Sequence, residues 1–172
     1  EILLSHQDIV KICERLGKQL TEDYRDKKPI LISLLKGSIP FLAELIKHIK
    51  CDIELEFMQA SSYSGVKSKG TVMVLKDITS SVQGRHLLLV EDIVDTGLTL
   101  EEVINLLDDR GAESIEVVTL LDKPGGRQIE ITPKYIGQVI PNKFVIGYGL
   151  DYNELYRNLD YVGVLKESVY KK

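Results

Sequence analysis

The stretch from 87 to 99 limits the fold more than any other. Leu87 to Val90 form an unbroken apolar run. Such a run reads as a strand buried on both faces, the kind found inside a parallel sheet. Glu91 and Asp92 follow at once, then Ile93 and Val94, a third acid at Asp95, and Thr96-Gly97-Leu98-Thr99. A helix is expected through Glu101, Val103, Ile104 and Leu107. Three acids and a hydroxyl-glycine turn therefore lie between the carboxyl end of a strand and the amino end of a helix. In open α/β sheets ligands bind at that place.

The residue types there select a ligand chemistry. Free backbone N–H groups at a helix start, Thr hydroxyls and a glycine that allows close approach suit a phosphate monoester. Glu91 and Asp92 would repel that phosphate unless they face something else. Vicinal hydroxyls of a ribose or a hydrated divalent cation are suitable partners. Together these features point to a phosphorylated ribose. The chain has neither a G-x-x-x-x-G-K-[ST] loop nor a G-x-G-x-x-G turn. The bland alternative is an acidic helix start that only complements the helix dipole.

A second turn of the same kind lies upstream. Ile30 to Leu35 reads as a buried strand, Lys36-Gly37-Ser38 closes it, and Ile39 to Ile49 reads as a helix with Pro40 in its first turn. Lys36 adds a point charge, and Gly37 and Ser38 add donors. Alone, this is an ordinary strand-to-helix connection. Beside the first turn it becomes a second anion pocket.

The remaining segments are plainer. Ser5 or His6 can start a helix with Ile9, Val10, Ile12, Cys13, Leu16 and Leu20 on one stripe. Ile53 to Met58 alternates, as a strand with one covered face does. Ala60 to Gly70 reads as a polar hairpin loop, Val72 to Leu75 as its return strand, and Val82 to Arg85 as a turn. Arg110-Gly111-Ala112 suits a helix C-cap. Ile115 to Leu121 is a further parallel-type strand with Lys123 at its carboxyl end, and Val162 to Leu165 is a closing strand. Glu167 to Lys172 reads as a polar tail.

Composition narrows the class. The chain has 172 residues, enough for one domain with a sizeable core. Net charge is −4, which disfavours a nucleic-acid footprint. Cys13 and Cys51 form no C-x-x-C pair and sit in apolar surroundings, so both are expected as core thiols in a reducing cytosol. No apolar run reaches the ~20 residues of a membrane span. Glu1 to His6 has no basic start before a long apolar stretch, so no signal peptide is expected, and the absent initiator Met points to trimming.

The run Val90-Glu91-Asp92-Ile93-Val94-Asp95-Thr96-Gly97 resembles the phosphoribosyl-diphosphate (PRPP) motif of type I phosphoribosyltransferases, in its hypoxanthine-guanine form. The resemblance extends in order through Leu35-Lys36-Gly37, Ser62-Tyr63, Lys123, Phe144-Val145, Leu150-Asp151-Tyr152-Asn153-Glu154 and Arg157. Two departures are mild. Leu98 stands where some members carry Lys, and Ser38 replaces a frequent Gly.

The resemblance implies an α/β fold with a central, mostly parallel sheet flanked by helices. It implies one domain over 1–172, a small hood from the terminal segments and a flexible lid at about 60–72. Thr96 to Thr99, Leu98 included, would bind the 5′-phosphate, and Glu91 and Asp92 the ribose. Lys36, Gly37 and Arg157 would bind the diphosphate, with a non-proline cis peptide before Lys36. Ser62 and Tyr63 would close the lid and exclude water. Lys123 would donate to O6 of a 6-oxopurine, Phe144 would stack on the base, and Val145 and Leu150 would line it. Asp151 would hold Mg²⁺ near the diphosphate, and Glu91 and Asp92 a second ion. Asp95 is the expected general base, with Lys123 stabilising charge at O6.

The activity implied is purine salvage: Mg²⁺-dependent transfer of phosphoribosyl from PRPP to N9 of hypoxanthine or guanine. The protein is expected in the cytoplasm, as a homodimer or homotetramer, with neither nucleic acid nor membrane as a partner. A xanthine-preferring enzyme and an RNA-binding regulator built on the same motif are the rivals.

Overall fold

The computed structural model describes residues 1–62 and 72–171. A helix α1, His6–Tyr24, follows a short strand β1, Ile2–Leu4. The Ser5 hydroxyl accepts from the amide of Asp8, and the Asp8 carboxylate accepts from the amide of Ser5, which satisfies two donors that the first turn leaves unpaired. Its Ile9, Ile12, Cys13, Leu16 and Leu20 are buried, as their spacing requires, while Val10, next to Ile9 and so turned off that face, is only half-buried.

The main sheet has six strands: β2 Ile30–Leu34, β3 Glu54–Ser62, β4 Val72–Lys76, β5 His86–Val94, β6 Ser114–Asp122 and β7 Tyr135–Val139. Their spatial order is β4-β3-β2-β5-β6-β7, parallel except for β4 at the edge. Helices α2, Ile39–Leu45, and α3, Leu98–Asp109, cover it with α1. Leu88 and Val90 of β5 pack into one core with α1 and α2. Leu87 and Leu89 pack into another with Leu100, Val103 and Leu107 of α3. All four are fully buried. Each such side chain contributes about 1.5–3 kcal/mol relative to exposure.

Strands β1, β8 (Val145–Ile146) and β9 (Val162–Val164) form a separate antiparallel sheet in the order β1-β9-β8. A last helix, α4, spans Glu167–Tyr170.

Several local expectations change. β5 continues through Glu91 and Asp92 to Val94, because β6 pairs with it that far. The acids are therefore on the strand, not after it. α2 ends at Leu45 and a 3₁₀ turn, Ile46–His48, replaces its last part. β3 reaches Ser62, so Ala60 and Ser61 belong to a strand rather than a loop. Both faces of β3 are used: Phe57 packs on one core and Met58 on the other, while Leu55 is 42% exposed. Glu56 is buried beside Met58, its carboxylate accepting from the hydroxyls of Thr79 and Ser80 and the amide of Ser80. Cys13 is buried, and burial pushes its thiol up to about 12, which makes it unreactive. Cys51 is only half-buried. The expected polar tail is helical over Glu167–Tyr170.

Candidate active site

The chain leaves β2 through α2 toward β3 on one side, and leaves β5 through α3 toward β6 on the other. The strand order therefore reverses between β2 and β5. That reversal opens a crevice beyond their carboxyl ends. β2 pairs with β5 only as far as Ser33 opposite Val90. Past that point β5 has lost one neighbour, and Glu91 and Asp92 face the gap.

The β2–α2 turn lines one wall. Its Leu35–Lys36 peptide is cis. A Cβ at Gly37 would lie 1.9 Å from Asp92 Oδ2 and 3.2 Å from the Gly149 carbonyl oxygen, so a larger residue in this turn would push the acid aside. Ser38 is not a free donor to an anion. It is fully buried, and its hydroxyl donates to the carbonyl of Leu34 at 2.6 Å and contacts Ser33 Oγ. Its role here is to hold the turn.

The β5–α3 turn lines the other wall. Gly97 has φ of +83°, and a Cβ there would meet Ile131 at 2.7 Å. Both the backbone angle and the space require glycine. The Thr96 hydroxyl accepts from the amide of Leu98 at 3.3 Å. A concavity of about 150 Å³ is bounded by Glu91, Asp95, Thr96, Gly97 and Thr99. Leu98 itself is 39% exposed and begins α3.

A loop from Gly147 to Arg157 closes a third side. Tyr148, Asn153, Glu154 and Tyr156 all take positive φ there. Such a cluster of sparsely populated backbone angles is the kind that packing imposes at binding sites. Arg157 donates to the Gly149 carbonyl at 2.6 Å and to Glu154 at 3.2 Å, and lies 3.6 Å from Asp151 Oδ1. Lys36 Nζ donates to Glu154 at 3.0 Å. The amide of Glu154 donates to Asp151 Oδ2 at 2.9 Å. Asp151 and Arg157 thus converge around Glu154 within one loop, and Lys36 joins them from 118 residues away. Glu154 stands in the matched motif without a role, and no local signal ties it to Lys36.

Asp95 and Lys123 are in contact, with Nζ 2.9 Å from Oδ2. A Cβ at Gly126 would fall 1.8 Å from Asp95 Oδ1, so the segment after β6 lies directly against this acid. Lys123 also reaches the carbonyl of Lys143 at 3.4 Å, next to Phe144. Phe144 is 37% exposed. Tyr170 stacks on its ring at 5.0 Å and 25°, and Tyr152 meets it edge-on at 5.8 Å. Val145 and Leu150 are buried, so at Val145 only the backbone can face a ligand. Ser62 ends β3, and Tyr63 lies outside the described residues with most of the expected lid.

Burial raises the carboxyl of Glu91 well above its ordinary range, and the charge of Asp92 adds to this. Burial also lifts Asp92 to about 6, against hydrogen bonds from backbone amides that include Ile93. Neither acid forms an ion pair among the described residues. Two adjacent, poorly solvated carboxylates fit a hydrated divalent cation.

Those shifts carry a sign. Asp92 holds its proton more tightly folded than unfolded, so protonation favours the native state. That contribution is present in full below the ordinary 3.8 and is lost as pH rises to about 6. Asp92→Asn lacks it and relieves Glu91 as well. In metal-free protein the unfolding free energy of wild type minus that of Asp92→Asn is expected to fall between about pH 4 and 6. Urea titrations at several pH values measure it, and a flat difference contradicts the burial account.

The sequence profile of the phosphoribosyl transferase domain matches residues 1–153. The chain belongs to the phosphoribosyl transferase family. Among relatives of this phosphoribosyl transferase, the hypoxanthine-guanine phosphoribosyltransferase of Streptococcus pneumoniae is 53% identical over 171 residues, covering 99% of this chain and 95% of that one. That of Lactococcus lactis is 53% identical over 173 residues, covering 100% and 94%. The crystal structure of a hypoxanthine phosphoribosyltransferase from Staphylococcus aureus superposes with a TM-score of 0.96 at 48% identity, covering 100% of this chain and 94% of that one. The α/β architecture with a mostly parallel central sheet is that of the family.

Proposed function

We propose that this phosphoribosyltransferase serves purine salvage, moving the 5-phosphoribosyl group of PRPP to N9 of hypoxanthine or guanine and releasing diphosphate. The observation that carries the reading is the Asp95–Lys123 contact, at the carboxyl ends of the paired strands β5 and β6 and next to the Thr96–Thr99 turn. It sets a proton acceptor beside a cation that can face an oxo group.

In this reading Thr96 to Thr99 hold the 5′-phosphate by amides and hydroxyls at the start of α3. Glu91 and Asp92 would hold the ribose hydroxyls and one hydrated ion, and Asp151 a second. A divalent metal serves the reaction, and we take it to be Mg²⁺; bound there, it would supply positive charge to offset that of the leaving diphosphate. Lys36, the Gly37 amide and Arg157 hold the leaving group. For them to do so, the phosphate oxygens replace Glu154 on both cations. Ser62 and Tyr63 are assigned to a lid that keeps water from the ribosyl cation. Asp95 accepts the proton from the imidazole ring as N9 bonds to C1. Phe144, backed by Tyr170, stacks on the base; Val145 and Leu150 complete its pocket. Holding base and ribose in line is worth about 7–11 kcal/mol.

We take residues 1–172 as one catalytic domain, with the three-stranded sheet as hood and 60–72 as lid. We place the enzyme in the cytoplasm as a homodimer or homotetramer. No helix of the described residues is long and apolar enough to cross a membrane. Neither the xanthine-preferring nor the RNA-binding alternative gains a specific observation.

A spectrophotometric assay of each purine with PRPP and Mg²⁺ tests the reading. Turnover is expected with hypoxanthine and guanine and not with adenine; adenine used as well as hypoxanthine overturns it. Lys123→Ala is expected to lower kcat/KM for hypoxanthine by about 10- to 100-fold, the loss of one charged hydrogen bond. Unchanged kcat/KM would remove Lys123 from base recognition.

A further inference from the structure

Carbonyls between a strand and a helix belong to neither and need partners from elsewhere. Three carbonyls stand at this join, that of Val94 at the end of β5 and those of Asp95 and Thr96 beyond it, ahead of the first helical bond of α3, which runs from the Glu101 amide to the Gly97 carbonyl. One segment meets all three. The Lys123 amide donates to Val94 at 3.0 Å, and the Gln128 amide to Thr96 at 3.0 Å. Arg127 Nη1 donates to Val94 at 3.0 Å and to Asp95 at 2.9 Å. Its Nη2 donates to Asp122.

This guanidinium is well placed to be rigid. Its side chain is 13% exposed and that of Asp122 is 7%. Asp122 pairs with Val94 at the end of the sheet, so the ion pair anchors the fork to the last rung of the ladder. A guanidinium can bridge two carbonyls and a carboxylate at once, because its donors lie in one fixed plane. An ammonium cannot do so in the same geometry. Gly126, next to it, leaves room for the Asp95 side chain.

We propose that Arg127 is a positioning residue for the transfer reaction: it clamps the Val94–Asp95 backbone and so fixes where the Asp95 carboxylate stands relative to Lys123. The proposal rests on Asp95 being the base. Arg127 touches no substrate in this account, and it acts through the carbonyl of the residue that does.

Three variants separate clamping from mere ion pairing. Arg127→Lys keeps the charge next to Asp122 but loses the fork. It is expected to fold and to lower kcat by about 10- to 100-fold, with KM for PRPP and for hypoxanthine within about threefold, as misplacement of a reacting group does. Asp122→Asn keeps the guanidinium on both carbonyls and is expected to hold kcat within about threefold. Arg127→Met with Asp122→Asn removes both charges, so no lone buried carboxylate remains to unfold the protein. It is expected to match the kcat loss of Arg127→Lys. Thermal melts confirm folding, and single-turnover rates with hypoxanthine report the chemical step. A normal rate in Arg127→Lys, or an equal loss in Asp122→Asn, overturns the clamp. Asp95→Asn tells the two failures apart. If it is impaired while Arg127→Lys is normal, only the clamp fails; if it turns over normally, the base assignment fails and the clamp with it.

Discussion

Asp95→Asn is expected to lower kcat for nucleotide formation from hypoxanthine by roughly 10²–10⁴-fold, the usual worth of a positioned general base. The substitution keeps the size of the side chain, so it can still lie against Gly126 where a Cβ would stand 1.8 Å from Oδ1. The Asp95 side chain is 42% exposed, and its contact with Lys123 is therefore a small contribution to folding. The melting temperature is expected to move little. What is lost is the ability to take the proton released as N9 bonds to the sugar carbon. Steady-state kinetics at saturating PRPP and hypoxanthine measure the effect. A variant that turns over at near the normal rate would falsify the base assignment.

Gly149→Ala is expected to destabilise the fold by roughly 3 kcal/mol or more, among the larger losses for one methyl group. Two causes add. Its φ is +96°, which a residue with a Cβ adopts only under strain. Its Cβ would also lie 1.9 Å from the carbonyl oxygen of Gly37 and 3.1 Å from Pro40 Cδ, both on a turn that cannot swing aside as a side-chain tip can. Tyr148 and Leu150 on either side are buried, so the loop has nowhere to retreat. Since Gly37 already abuts Asp92, the strain passes into the crevice, and PRPP affinity is expected to fall too. Gly84→Ala is the control. Gly84 has φ of +69° with no neighbour within 4 Å of its Cβ, so only the backbone cost remains, roughly 1 kcal/mol. Urea unfolding of both variants settles it. A Gly149→Ala loss no greater than that of Gly84→Ala rejects the collision account.

The parts of the site that sequence reading reached are those written in consecutive residues. Leu87 to Val90 announce a strand covered on two sides, because so short an unbroken apolar run, closed by acids, suits a strand inside a parallel sheet. Gly97 after Asp95-Thr96 announces a turn whose backbone can come close to a ligand; that it is left-handed, with φ of +83°, is seen only in the structure. Lys36-Gly37 announces a turn. Each of these is a local choice of backbone and solvent, and a local pattern records it.

Other features escaped for an equally physical reason. Glu56 sits among alternating residues like any surface acid, and the hydroxyls and amides of Thr79 and Ser80 make its burial tolerable. Tyr170, in what reads as a polar tail, ends on the ring of Phe144 because the helix Glu167–Tyr170 folds back from β9. Arg127 follows two glycines after a strand, a hint of a tight strap, but nothing nearby says which carbonyls it will meet. Ser38 looks like an anion donor and is instead buried and spent on Leu34.

From sequence alone came the alternation of strands and helices, the two glycine turns at strand ends and the acids between them, since each depends on a few adjacent residues. The tertiary structure alone decided that Lys36 and Arg157 meet on Glu154, that Lys123 meets Asp95, and that Arg127 holds the backbone behind it. Those contacts follow from strand order and from the need of every buried carbonyl and charge for a partner, and such a debt is settled in space by residues that the chain keeps far apart.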